Sequence, residues 1–116
     1  MKARTGETTV NVNVRGVIFT GRPLPQAELH AFLDKNTVDG GPGKSAKQDF
    51  NAFTADCFNF RVMAWSGDFT GSDGKPLECN EANKRAICNY DKQLCDEILE
   101  ALNAAIKNRE DVSGKN

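Results

Sequence analysis

The sequence predicts an α+β fold, with an N-terminal strand or small hairpin packed against three to four helices. Three observations carry this expectation. Val10, Val12 and Val14 alternate with Asn11, Asn13 and Arg15, the period of two that gives a strand one apolar and one polar face. Phe50, Phe53, Cys57, Phe60 and Ala64 recur at spacings of 3, 4, 3 and 4, which is a helical stripe. Leu94, Cys95, Ile98, Leu99, Leu102, Ala105 and Ile106 form a wider helical face near the C-terminus.

Taken in order, Thr8 to Phe19 reads first as a strand. Gly16 marks a bulge or bend, so one bent strand and two short ones both fit, and Val17-Ile18-Phe19 continues as a buried run. Thr20-Gly21-Arg22-Pro23 is a turn. Pro25 suits the first turn of a short helix that places Leu29, Phe32 and Leu33 on one face. Residues 36–45, with Asp39-Gly40-Gly41-Pro42-Gly43, are expected to be a mobile loop that is either a flexible insertion or orders on a partner.

The helical pattern resumes at about Ala46. Phe58-Asn59-Phe60-Arg61-Val62 also alternates, which fits a strand at the end of the segment, but continuity of phase favours helix through Ala64. Ser66 to Pro76 is a loop in which Asp73-Gly74 is a turn, or closes a small hairpin between Asp68-Phe69 and Lys75-Pro76-Leu77. Asn80 is a good N-cap for a helix over 81–89, and Asp91 for the last helix. A chain of 116 residues is expected to be one domain, with residues 1–7 and 108–116 flexible.

Fifteen basic and sixteen acidic residues argue against a nucleic-acid partner, which calls for a basic surplus. The balance is uneven. Residues 1–48 hold 7 basic and 4 acidic side chains, and residues 49–116 hold 8 and 12. An acidic C-terminal half disfavours docking on phosphate. No apolar run approaches the roughly 20 residues that span a bilayer, and Met1-Lys2-Ala3-Arg4-Thr5-Gly6-Glu7 has no apolar stretch behind its charges. A membrane anchor and a secretory signal are therefore not expected. Cys57, Cys79, Cys88 and Cys95 then read as free buried thiols in a reducing cytoplasm, with a disulfide pair as the minority reading.

The motifs that tempt toward chemistry do not hold. Gly43-Lys44-Ser45 lacks the earlier glycine of a phosphate-binding loop, because Val38 stands there and a helix rather than a buried strand leads in. Asp68, Asp73 and Glu78 do not match a calcium loop, since the ligand positions set by Gly74 fall on Phe69 and Gly71. Zinc knuckles need ligands two to four residues apart. On one continuous helix Cys88 and Cys95 would share a face about 10 Å apart, too far for one ion. Asn89-Tyr90-Asp91 is expected to break that helix, which leaves the distance open. His30 is the only histidine and no Gly-x-Ser-x-Gly motif is present. A non-enzyme without cofactor or metal is expected.

The remaining signal is apolar. Phe19, Phe32, Phe53, Phe60 and Trp65 are expected in the core, whereas some of Phe50, Phe58 and Phe69 are candidates for exposure. An exposed aromatic cluster would mark a protein-binding surface.

Val62-Met63-Ala64-Trp65-Ser66-Gly67, followed by Asp73-Gly74-Lys75-Pro76-Leu77, then Asn80 and Asn83 and the helices with Ile87 and Leu94–Ile106, resembles the bacteriophage tail assembly chaperones. The resemblance covers roughly Phe50 to Ile106. The insertion at Asp39–Gly43 and the four cysteines depart from that pattern. The family resemblance implies a non-catalytic protein in the host cytoplasm that coats the tape measure protein and recruits tail tube protein by multivalent, reversible contacts. Self-association is left open. It also implies contact through the C-terminal helix face or the Trp65 loop, and with the aromatic residues Phe50, Phe58 and Phe69 the candidate interaction residues are Phe50, Phe58, Trp65, Phe69, Leu99, Leu102 and Ile106. Two other readings compete: a small phage-encoded regulatory or inhibitor protein that blocks a host protein, and a minor tail structural protein.

Overall fold

The computed structural model describes residues 1, 3, 6 and 8–114, the last five of these by their backbone alone. The fold is α+β. Strands β1 (Val10–Val14) and β2 (Val17–Gly21) are followed by helix α1 (Gln26–Lys35), the short strands β3 (Thr37–Val38) and β4 (Lys47–Gln48), and helix α2 (Phe50–Arg61). Strand β5 (Val62–Ser66) and helices α3 (Glu81–Tyr90) and α4 (Lys92–Gly114) complete the chain. β1, β2 and β5 form an antiparallel sheet in the order β1-β2-β5, and β3 pairs with β4 in a separate ribbon.

Gly16 turns out to be the tip of a hairpin. Val14 pairs with Val17 across a two-residue turn in which Arg15 has φ 52° and Gly16 φ 86°. Both residues left-handed is the turn that matches strand twist. The Asn13 side chain accepts from the Gly16 N–H at 2.9 Å, and Arg15 is held by a two-pronged ion pair to Glu97 of α4 at 2.8 and 3.0 Å.

One face of the sheet carries Val10, Val14, Val17, Phe19 and Val62, all buried against Leu94, Cys95, Ile98, Leu102 and Ile106 of α4, with Phe58 of α2 and Ile87 of α3. The opposite face shows Asn11, Asn13 and Ile18 to solvent, and Thr20 donates to Asn11 across it at 2.6 Å. The expected alternation of Val and Asn is therefore the division between core and water. α4 lies so close to β2 that a β-carbon on Gly21 would stand 2.5 Å from Leu102.

The α2–β5 junction corrects the expected helix through Ala64. Helix ends at Arg61, Val62 turns to extended backbone (φ −85°, ψ 112°), and Ala64 and Trp65 pair with Thr20 and Phe19. Pairing to β2 satisfies backbone groups along β5 that a longer helix would satisfy internally, and it turns Val62 and Trp65 onto the core face. Side chains seal the junction. Lys84 donates to the Asn59 and Val62 carbonyls at 2.7 and 3.0 Å, and buried Arg61 donates to the Arg22 carbonyl at 3.0 Å and to Asn103 at 2.7 Å.

The Ser66–Pro76 loop takes its hairpin form. Thr70 bridges Pro76, Leu77 donates its N–H to Phe69 at 2.9 Å, and Trp65 Nε1 donates to the Leu77 carbonyl at 2.7 Å. Phe19, Trp65 and Phe69 meet edge to face with centroids 5.2–6.0 Å apart. Asn80 caps α3 by accepting from Asn83 N–H, and Asp91 caps α4 by accepting from Leu94 N–H.

Other boundaries move. β2 takes in Thr20 and Gly21 of the expected turn, because they pair with Asn11 and Val10 of β1, and α2 starts at Phe50 rather than about Ala46, because Lys47–Gln48 pair with Thr37–Val38. Segment 36–45 is not all loop: Asn36 is buried at the end of α1 and Thr37–Val38 is strand β3. The α4 backbone stays helical to Gly114, past the end expected at Asn108. Of the segments expected to be flexible, residues 2, 4, 5, 7, 115 and 116 lie outside the described residues.

Candidate functional site: an apolar layer outside the core

α1 is too short and too sparsely apolar to bury itself. Its Leu29, Phe32 and Leu33 lie on one face as expected, yet none of its residues is fully buried. The helix rests on α2, where Phe32 meets Phe60 edge to face at 6.1 Å, and the Arg22 guanidinium lies 3.9 Å over the Phe60 ring. Phe32, Phe53 and Phe60 are half-buried, and none of them belongs to the core cluster between the sheet and α4. A second apolar layer thus lies outside that core, covered on one side only.

At one end of this layer the β3–β4 ribbon and the first turn of α2 enclose an open depression of about 560 Å³. Val38 and Phe50 stand on it with 62% and 66% of their surface exposed. Asp49 sets the direction of Phe50: its side chain accepts from the Ala52 N–H at 3.0 Å and its own N–H donates to the Asn36 carbonyl at 2.8 Å. The helix start is thereby tied to the end of α1, with Phe50 on the outside.

A buried charge fixes the layer to the rest of the molecule. Asp56 of α2 is 4% exposed and accepts from Asn36 at 2.8 Å, pairs with Arg85 of α3 at 2.9 Å and meets Lys35 at 3.4 Å. Burial alone would push its pKa up, but the hydrogen bonds from Asn36, Arg85 and Lys35 together outweigh it and hold the carboxyl below its ordinary value. Three helices meet on one carboxylate.

The residues expected to form an interaction surface do not come together on one exposed face: Trp65 meets Phe69, and Phe58, Leu102 and Ile106 share the core. Phe50 alone stands free in the exposed layer. Phe58, expected among the candidates for exposure, is fully buried. The face of α2 that continues into β5 carries Ala55, Phe58 and then Val62, and Phe58 and Val62 turn into the core, with α2 packed along α3. Leu102 and Ile106, assigned to a contact face of the C-terminal helix, are buried under the sheet because α4 spends its apolar stripe on the strands. Trp65, Phe69 and Leu99 are half-buried and pack against the core. Val38 was missed, and a lone valine in a glycine-rich loop carries no signal of exposure. The half-exposure of Leu29, Phe32 and Leu33 was missed as well. Three large apolar residues on a ten-residue helix hinted at it, because so narrow a face buries little.

Among the described residues no three His, Cys, Asp or Glu side chains converge as a metal site. Gly43-Lys44-Ser45 lies exposed between β3 and β4, and His30 is exposed on α1. No helix of the described residues is long and apolar enough to cross a membrane. No protein-family model, curated protein sequence or solved structure matches this chain.

Proposed function

We propose that this chain is a non-catalytic protein-binding protein, and specifically a phage tail assembly chaperone that engages tape measure and tail tube proteins in the host cytoplasm. The observation that carries the binding role is the half-covered apolar layer of α1 and α2, with Val38 and Phe50 exposed at its end. Exposed large apolar side chains beside a half-covered apolar layer are a feature of interaction surfaces. The tail-assembly role rests on the resemblance of the Trp65 segment, the Asp73–Leu77 turn and the helices α3 and α4.

The physical logic joins the two. A long apolar helical protein needs transient cover, and a shallow, partly wetted layer supplies contacts that release again. Co-expression with the tape measure and tail tube proteins of the same genome, followed by pull-down and size-exclusion chromatography, tests the reading. A large soluble complex, with tape measure insoluble when this chain is absent, is the expected result. A tape measure equally soluble alone, with no co-elution, would remove the chaperone role.

A further inference from the structure

Helices α3 and α4 are separated by the single residue Asp91, and that tight joint brings Cys88 and Cys95 together. Their sulfurs lie 3.2 Å apart. Cys88 is in the last turn of α3 and half-buried, while Cys95 is in the first turn of α4 and fully buried. A continuous helix would have kept the two apart; the break folds the seven-residue separation back on itself. Both thiols are free, as are Cys57 and Cys79.

We propose that Cys88 and Cys95 are a reversible redox pair, closing to a disulfide that staples α3 to α4 when the protein meets a low-molecular-weight disulfide. The separation of 3.2 Å has only to close to about 2.05 Å. Cys88 is the more exposed residue of the pair and the one an incoming disulfide can meet. Its hydrogen bond with Cys95 and burial push its thiol up, so it first gives its proton to solvent base and then, as the thiolate, attacks one sulfur of the incoming disulfide. That S–S bond breaks, a mixed disulfide forms on Cys88, and the first small thiolate leaves. The Cys95 thiolate then attacks the Cys88 sulfur and expels the second. The protein dithiol loses two electrons, the small disulfide gains them, and the two protons given up by the cysteines end on the departing thiols.

The surroundings suit the resolving role of Cys95. In the dithiol the hydrogen bond with Cys88 lowers its pKa, burial and Asp96 oppose this, and Lys92 adds to the lowering. Once Cys88 carries the small thiol that hydrogen bond is gone, and the attraction of Lys92 is what remains of these. The place of Cys95 at a helix N-terminus acts in the same direction. Cys57 and Cys79 are free thiols without such a thiol partner, so they serve as internal controls.

The test is incubation of the folded protein with oxidised glutathione, alkylation of the remaining thiols and tryptic mapping. Trypsin cuts after Lys92, so the disulfide would join peptide 86–92 to peptide 93–107. The expected result is that linked pair, lost again on dithiothreitol treatment, with Cys57 and Cys79 alkylated. Cys95→Ser should instead hold glutathione on Cys88. All four thiols alkylated in the wild-type protein, or a wild-type product that stops at glutathionylated Cys88, would overturn the proposal. The wild-type map decides even if the variant fails to fold.

Discussion

Gly21 of β2 lies directly beneath Leu102 of α4, so close that a β-carbon at Gly21 would stand 2.5 and 2.8 Å from the two Leu102 methyls and 3.1 Å from the Arg61 carbonyl. The helix can approach the sheet only because this position carries no side chain. The Leu102 methyls can rotate away; the Arg61 carbonyl cannot. Gly21→Ala should therefore destabilise the fold by about 1–3 kcal/mol through overpacking, read as a lower urea midpoint with unchanged slope.

Asp56 is the second sensitive position. Asp56→Asn keeps the shape but removes the charge that Arg85 and Lys35 meet at 2.9 and 3.4 Å, and about 2–3 kcal/mol of stability should go with it. The pH dependence has a definite sign. The folded-state pKa lies below the unfolded value near 3.8, so the contribution is complete above that value. It is lost as pH falls through the lower folded-state pKa. Wild type and variant should differ by a constant amount at neutral pH and converge in acid. A gap that persists in strong acid would show that the effect is not electrostatic.

Two phenylalanines eight residues apart in sequence should behave in opposite ways. Phe58→Ala opens a cavity in the fully buried core and should cost about 3–5 kcal/mol. Phe50→Ala removes a ring that is 66% exposed and should change stability by no more than about 0.5 kcal/mol. The same Phe50 variant should weaken capture of the tape measure protein by about tenfold or more if the ring is a binding anchor. Thermal melts and pull-downs on the two variants separate the roles. Undiminished capture by Phe50→Ala would take this surface out of the binding account.

Trp65 ties the 69–77 hairpin to the sheet through the bond from its Nε1 to the Leu77 carbonyl at 2.7 Å. Trp65→Phe keeps the edge-to-face contact with Phe19 but leaves that carbonyl without its partner, at a cost of about 1–2 kcal/mol. Amide exchange should rise first at Leu77 and Gly71, whose N–H groups close the hairpin. Exchange that rises equally in α4 would instead mean global loosening.

The period-two run of Val10, Val12 and Val14, the α4 stripe from Leu94 to Ile106 and the caps at Asn80 and Asp91 were all legible in the sequence. Each rests on local chemistry: side-chain alternation, helical spacing, and a side chain that accepts from a nearby backbone N–H. The switch from helix to strand after Arg61 was not legible, because 58–62 suits both periods and only the free edge of β2 decides for strand. Which face of α2 turns inward was equally hidden, since Phe50, Phe53 and Phe60 compete with Ala55 and Phe58 until α3 and the core cover one of the two. The meeting of Cys88 with Cys95 and the exposure of Phe50 also belong to the tertiary structure alone. Periodicity fixes which residues share a face; only packing between distant elements determines which face is covered and which is left to water.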